Sequence, residues 1–424
     1  MTQADALEAP PEDIIIRDLA DPVLTPEIIA ARQGPADFPD TLTVEEVLER
    51  ASAAAGGLTD FGPEDFKERL RITLQSWEED EGLTRGGRIT MLQHAIRVMA
   101  NRLRIEDVVK KHPEILEIQI DRPIIIAGLP RSGTTHLVNW LARDERLRSL
   151  TLWESEEPVP SVQPKEGEPD PRLLRSAEFW SAFEGMLPHV VAMHGMDASH
   201  IHEDNELLFM DVNSYNWEWQ TRIPRWTDYY FSHDRTSSYL YEKKVLQVLT
   251  WFRGPNRWIL KSPQHMENLA AMKAAFPDAT MVITHRDPVA VMQSLLTMVC
   301  YCDRIRRDPV DPHGLAELWI SRIERLLREC LAQRAAWGPE QSLDVLFHEY
   351  MADQEDVMRR VYDMAQLDLT PEVESALLGY LNENPRNKHG KVIYDLKGDF
   401  GVDPEALRER FQFYYDAYPV RKEV

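Results

Sequence analysis

The feature that most constrains the fold of this chain is a short apolar run that leads into a glycine-bounded loop and then into a helix. Residues 123–127 read P-I-I-I-A and are rich in β-branched side chains, which is typical of a strand buried on both faces of a parallel sheet. Residues 128–135 follow as G-L-P-R-S-G-T-T, and Leu137, Trp140 and Leu141 then fall on one face of a helix. A strand, a glycine loop and a helix in this order form the βα unit of a phosphate-binding fold.

Three more strand-like runs come later in the chain, at residues 257–260, 280–284 and 343–347. Each is apolar and short, and each is followed by apolar residues at helical spacing. This repeated order of strand and helix predicts an α/β fold in which helices flank a P-loop-like, mostly parallel sheet.

The part of the chain before this sheet has a different character. Residues 1–120 predict an acidic arm, loose and partly extended over its first forty residues, followed by a helical extension. Thr43 and Glu46 have the spacing of a capping box at the start of one helix. We expect the α/β domain to span 121–424, with a helical, aromatic-rich insertion at about 155–252.

Composition limits the partners of the protein. Its 424 residues carry a formal net charge of −23, which disfavours nucleic acid and anionic membranes, so a site for a polyanion must be a local basic pocket. The three cysteines, Cys300, Cys302 and Cys330, match no four-ligand zinc pattern and are predicted to be free thiols. The first residues lack a signal peptide's basic and apolar regions, and no apolar run is long enough to span a bilayer. We therefore expect a cytoplasmic protein without a membrane span or a metal.

The loop at 128–135 predicts an anion site without nucleotide hydrolysis. Its glycines let the backbone wrap a phosphate, and its cation and hydroxyls can bind one. The lysine position of a nucleotide-hydrolysing loop holds Thr134, whereas the cation comes earlier, at Arg131. That order places a guanidinium beside a 5′-phosphate rather than along a triphosphate. The candidate phosphate ligands of the loop are Arg131, Ser132, Gly133, Thr134 and Thr135.

The P-R-S-G-T-T string after a buried strand resembles the 5′-phosphosulfate loop of sulfotransferases that use 3′-phosphoadenosine 5′-phosphosulfate (PAPS). It is most similar to the bacterial and tyrosylprotein branch, which has arginine where cytosolic members have lysine. The resemblance implies PAPS as sulfuryl donor, 3′-phosphoadenosine 5′-phosphate (PAP) as product, and no metal. It covers residues of about 121–410.

The resemblance also implies ligands for the rest of the donor. Family members hold the 3′-phosphate with an arginine at a strand end and a serine eight residues later, and Arg286 and Ser294 have this spacing. A planar cation and a neutral hydroxyl can approach one phosphate from two directions. Lys261, at the end of another strand-like run, matches the lysine that bridges the donor and the leaving oxygen. Lys388 loosely matches a late basic loop that covers the 3′-phosphate.

The acceptor must lose a proton, and two bases are candidates. A glutamate soon after the loop has this role in arginine-type relatives, and Glu154 lies 23 residues after Arg131. Cytosolic members use a histidine, for which His200 is the alternative here. The predicted catalytic residues are thus Glu154, Arg131, Lys261 and His200.

The sequence therefore predicts transfer of a sulfuryl group from PAPS to a hydroxyl or amine of a small acceptor. The acceptor would be apolar or phenolic if the aromatics at 215–231 line a pocket, although such a density of aromatics is more typical of core. Two alternatives remain: a P-loop kinase of small molecules, and a non-catalytic nucleotide-binding protein on the same fold. Whether the protein forms a homodimer is left open.

Overall fold

The sheet at the centre of the computed structural model has five strands in the order β2-β3-β1-β4-β5, and every pairing is parallel. The structure describes residues 13–162, 165–384 and 390–424. All residues of the inner strands β1 and β4 are buried, as their apolar sequences require. The predicted α/β fold is confirmed. The strands are β1 Ile124–Gly128, β2 Leu147–Ser149, β3 Arg257–Lys261, β4 Thr280–His285 and β5 Ser342–Leu346.

The register of the sheet brings three strand ends together. In β1, Ile126 pairs with Lys261 of β3, and Gly128 pairs with Thr284 of β4. Because parallel strands all end at the same edge, the loops that follow these three strands are neighbours. Ligands of open α/β sheets bind at this edge.

Four helices precede the sheet, and the predicted capping box begins the second of them. The Thr43 side chain accepts from the Glu46 backbone N–H at 3.2 Å, and the Glu46 carboxylate accepts from the Thr43 backbone N–H at 2.8 Å. The fourth helix is the longest and packs against the first two. The four are α1 Pro26–Gln33, α2 Val44–Ala54, α3 Phe66–Glu79 and α4 Arg85–Lys111.

The described part of the arm is not loose, contrary to expectation. Ile16 and Leu19 are buried in the core, and Asp18 pairs with Arg304 through two hydrogen bonds of 3.0 Å. Apolar residues interleaved with the acidic ones give this segment a face that can pack.

Most of the remaining helices lie between or after the strands. Before β3 come α5 Thr134–Leu141, α6 Leu152–Glu156, α7 Pro171–Met186, α8 Val190–His194, α9 Asn216–Gln220, α10 Pro224–Ser232 and α11 Thr236–Arg253. After β3 come α12 Leu269–Ala275, α13 Pro288–Asp303, α14 Pro312–Gln333, α15 Phe347–Ala352, α16 Gln354–Ala365, α17 Pro371–Glu383, α18 Leu396–Phe400, α19 Pro404–Arg410 and α20 Gln412–Ala417. Short 3₁₀ turns lie at Pro113–Glu117, Asp204–Asp211, Pro263–Glu267 and Arg334–Ala336.

Two apolar clusters cover the two faces of the sheet. Ile125 and Ala127 of β1 belong to a cluster that also contains buried residues of α2, α3 and α4. Ile124 and Ile126 belong to the second cluster, with residues of α5 and α16. The helical extension therefore shares its core with one face of the sheet, because successive side chains of a strand point to opposite faces.

We expect Gly128→Ala to lower the free energy of unfolding by about 1–3 kcal/mol, because overpacking of a tight site forces its neighbours apart. A β-carbon at Gly128 would lie 1.9 Å from Thr284 Oγ1. Urea denaturation measures the change. The matched control is Gly379→Ala in α17, where a β-carbon meets nothing within 4 Å, and which we expect to stabilise the protein by about 0.5–1 kcal/mol. A Gly128→Ala variant as stable as the parent protein would contradict this packing.

Candidate functional site

The loop after β1 is folded tightly by its own hydroxyl groups. Ser132 Oγ donates to the Leu129 carbonyl at 2.6 Å and lies 2.8 Å from Thr284 Oγ1 of β4. Arg131 and Gly133, on either side of Ser132, have φ values of +66° and +87°. These left-handed turns deliver the chain to the start of α5, whose first N–H groups have no side-chain cap. Uncapped N–H groups at a helix start are available to an anion.

The Arg131 side chain extends from this loop toward α13, the helix that follows β4. Its Nε donates to Ser294 Oγ at 3.0 Å, and its NH1 donates to the Met193 carbonyl. Burial lowers the pKa of the Arg131 guanidinium, and the charge of Arg286 lowers the pKa further. The cation is thus held in a desolvated position, where its attraction for an anion is strong.

Arg286 and Ser294 lie where β4 passes into α13. Asp287 caps this helix by accepting from the Val289 N–H at 3.0 Å. Arg286 NH1 donates to the Arg131 carbonyl, which joins this motif to the β1 loop. The structure therefore brings Arg131, Arg286 and Ser294 into one connected group.

Sequence reasoning did not predict three residues that contact this group, namely Phe347, Tyr394 and Glu423. Arg286 donates two hydrogen bonds of 2.7 Å to the Glu423 carboxylate and lies over the Phe347 ring at 4.1 Å from its centroid. Ser294 Oγ donates to the Tyr394 hydroxyl at 3.0 Å. The sequence signals for two of them are weak: Phe347 directly follows β5, and Tyr394 lies six residues after Lys388. Glu423 carried no signal.

Lys261 is the last residue of β3 and lies at the same edge of the sheet as the β1 loop. Its side chain is fully buried, and its Nζ lies 2.7 Å from Glu203 Oε1 and 3.3 Å from Thr135 Oγ1. A buried ammonium group needs such partners. Lys261 therefore connects the β1 loop, through Thr135, to the segment that contains Glu203.

Three histidines, His194, His200 and His202, precede Glu203 in the chain. The ring centroids of His194 and His200 are 5.6 Å apart, and those of His200 and His202 are 6.0 Å apart. Among the described residues, His200 Nε2 is buried and has no hydrogen-bond partner. Burial, followed by the charges of His202 and Lys261, lowers the pKa of His200 to about 3. The imidazole of His200 is therefore neutral at neutral pH.

Glu154 has a different environment. Its carboxylate accepts from Arg148 NH2 at 3.3 Å, from Thr151 Oγ1 at 3.0 Å and from Arg253 NH1. The side chain is buried, and among the described residues no contact joins it to Arg131 or Lys261. Its role as a base stays a prediction.

Other expectations fall outside these contacts. Lys388 lies outside the described residues. In the described ranges, no group of three or more His, Cys, Asp or Glu side chains could hold a metal ion. The three cysteines are free. In the same ranges, no helix has both the length and the apolar character that crossing a membrane would require.

Comparisons with known proteins agree with this geometry. The profile of the sulfotransferase family matches residues 123–371, which is more than half of the chain. Sulfotransferase STF9 of Mycobacterium avium is 27% identical, with a TM-score of 0.81 over 92% of this chain and 100% of that one. Sulfotransferase STF1 of Mycobacterium tuberculosis H37Rv is 28% identical, with a TM-score of 0.77 over 88% of this chain and 99% of that one. No curated protein sequence matches. On its sequence, its parallel sheet and the position of its basic loop, this chain belongs to the sulfotransferase family of transferase enzymes.

Proposed function

We propose that the protein moves the sulfuryl group of PAPS to a hydroxyl, or an amine, of a small acceptor and releases PAP. The observation that carries this proposal is the grouping of Arg131, Arg286 and Ser294 beside Lys261 at one edge of the sheet. The family match supports sulfuryl transfer in general, and the identity of donor and acceptor is inferred from the residues at this edge.

The donor would bind with its two phosphate ends on different elements. The 5′-phosphosulfate would lie on the β1 loop, at Ser132, Gly133, Thr134 and Thr135, with Arg131 and Lys261 as cations. The 3′-phosphate would lie on Arg286 and Ser294. Arg286 already binds a carboxylate with two parallel hydrogen bonds, which is the geometry that guanidinium groups use for phosphate.

The reaction requires a balanced exchange at sulfur. The acceptor oxygen forms a bond to sulfur, the bond from sulfur to the phosphate oxygen breaks, and PAP leaves with the bonding electrons. Fixed cations stabilise the charge that develops on the leaving oxygen. Lys261 has this role in the proposal, with Arg131 as the second cation.

A base must take the proton of the acceptor, and we favour His200 over Glu154. His200 is neutral, its Nε2 has no partner among the described residues, and its pKa responds to the charge of Lys261. The Glu154 carboxylate is instead occupied by Arg148, Arg253 and Thr151. Binding of an anionic donor near His200 would raise its low pKa and strengthen it as a base.

We infer the acceptor class from the side chains near Lys261, because the aromatic residues that could have lined an apolar pocket are largely in the core. Four of the aromatics between 215 and 231 are at most 1% exposed and are buried in the core: Tyr215, Trp217, Trp226 and Tyr230. Partly exposed groups near Lys261 include the polar side chains Thr135, His194, His200 and Glu203. We therefore propose a small hydroxylated acceptor, with phenols as one member of the class.

We expect PAP to raise the melting temperature by a few degrees, and AMP, ADP or ATP with magnesium to raise it much less. Ligand at about one hundred times its Kd adds roughly 2.7 kcal/mol. Arg286→Ala should abolish the preference for PAP over AMP, whereas Arg359→Ala, on an exposed face of α16, should keep it. A shift only with ATP and magnesium would replace the sulfotransferase proposal with a kinase.

We expect Glu423→Gln to lower the Kd for PAP by about two- to fivefold, because the nucleotide no longer displaces a carboxylate from Arg286. Isothermal titration calorimetry measures the change. Glu405→Gln is the matched control, since Glu405 pairs with Arg408 instead. An unchanged Kd for Glu423→Gln would show that Arg286 does not bind the 3′-phosphate.

We expect His200→Gln to lower kcat by about 10²–10⁴-fold and to leave the Kd for PAP unchanged, because it removes a base and no donor ligand. Release of PAP from PAPS, measured with a panel of phenols, alcohols, polyols and amines, gives kcat. Glu154→Gln should lower the melting temperature and keep the turnover of the folded protein. The opposite pattern would restore Glu154 as the base.

A further inference from the structure

The described arm, residues 13–24, is joined to a segment near the other end of the chain, residues 390–394. Ile14 forms a parallel bridge with Val392. The Ile14 N–H donates to the Lys391 carbonyl at 2.8 Å, and the Ile393 N–H donates to the Ile14 carbonyl at 2.9 Å. Both backbone bonds that the described structure gives to Lys391 and Ile393 therefore go to Ile14.

The arm itself is anchored on the α/β domain. Ile16 and Leu19 are 6% and 4% exposed, which fixes the arm in the main core. Asp18 accepts two hydrogen bonds of 3.0 Å from Arg304, which follows α13 directly. Burial and an ion pair hold residues 16–19 in place. The backbone of Ile14 is therefore held in a position where residues 390–394 can pair with it.

The segment 390–394 contacts the proposed donor site through one side chain. The Tyr394 hydroxyl accepts from Ser294 Oγ at 3.0 Å, and Ser294 Oγ accepts from Arg131 Nε at 3.0 Å. Because a serine hydroxyl has one proton, the position of Tyr394 decides which way the Ser294 proton points. It also decides which lone pair of Ser294 meets Arg131.

We infer that the N-terminal arm positions Tyr394, and through it Ser294, for the 3′-phosphate end of the nucleotide. The inference rests on the proposed function, since it assigns this end of the site to a 3′-phosphorylated donor. Ile14 acts through the backbone of residues 391–393 and touches no ligand, so it is a positioning residue. Ordering the segment before the nucleotide arrives removes a conformational entropy cost from binding.

The test uses neighbouring substitutions in the full chain. Ile14→Pro removes the N–H that bonds to Lys391. Ile15→Pro is the matched control: Ile15 is 51% exposed, its N–H has no bond in the described structure, and a proline after Ile14 favours the extended backbone that Ile14 already has. Titration calorimetry with PAP and with AMP gives the Kd of each variant.

We expect Ile14→Pro to raise the Kd for PAP by about three- to tenfold, the effect of one or two hydrogen bonds, and to change the Kd for AMP much less. Ile15→Pro should match the parent protein. A purely structural role of the arm would weaken PAP and AMP equally, which would overturn the inference. Equal Kd values for PAP in the two proline variants would also overturn it.

Tyr394→Phe tests whether Ile14 acts on Ser294 through the Tyr394 hydroxyl. It should raise the Kd for PAP by a similar factor, and the double variant with Ile14→Pro should lose no more than the larger single change, because both act on one group. Additive losses would show that the arm does not act through Tyr394.

Hydrogen exchange on the unmutated protein gives an independent readout, even if Ile14→Pro fails to fold. If the arm favours PAP binding, bound PAP must favour the arm, so the Ile14 and Ile393 amides should exchange more slowly with PAP. Unchanged exchange with PAP bound would overturn the inference. Failure of the unmutated protein to bind PAP would instead reject the proposed donor.

Discussion

Parallel pairing of β1 with both β3 and β4 is the constraint on which the rest of the structure depends. It places the ends of these strands at one edge, so that Lys261, the β1 loop and Arg286 become neighbours although they are far apart in sequence. The pairing is stable because β1 is apolar on both faces and each face has its own core cluster. A site built on three strand ends gains rigid support from the whole sheet.

Two cations of the candidate site, Lys261 and Arg286, are paired with carboxylates. Glu203 lies on Lys261 and Glu423 lies on Arg286, each at 2.7 Å. Desolvating a charge without a partner is costly, and these pairs offset the cost. The chain has a net charge of −23, but these positive groups are concentrated at one edge of the sheet. In the proposed function, an anionic donor would replace the carboxylates there.

Much of this arrangement could be predicted because it is local. The capping box of Thr43 and Glu46 and the loop at 128–135 depend on residues a few positions apart. The pair Arg286 and Ser294 belongs to one strand–helix junction. The contacts of Tyr394 and Glu423 could not be predicted, since they join residues a hundred or more positions apart in the chain. The sequence also suggested a loose arm, because it shows the acidic residues of that segment and not the surface that receives Ile16 and Leu19.

The sequence by itself determined the order of four of the five strands, β2 excepted, the phosphate-loop pattern that follows β1, and the family to which the chain belongs. Those properties follow from backbone propensities, apolar periodicity and the residue types needed to bind phosphate. Only the tertiary structure decided that Glu154 is enclosed by arginines and that the arm reaches the segment beside Ser294. It also decided that His200 Nε2 has no hydrogen-bond partner among the described residues. The physical reason is that burial and hydrogen-bond partners depend on what packs around a residue, and packing is set by segments distant along the chain.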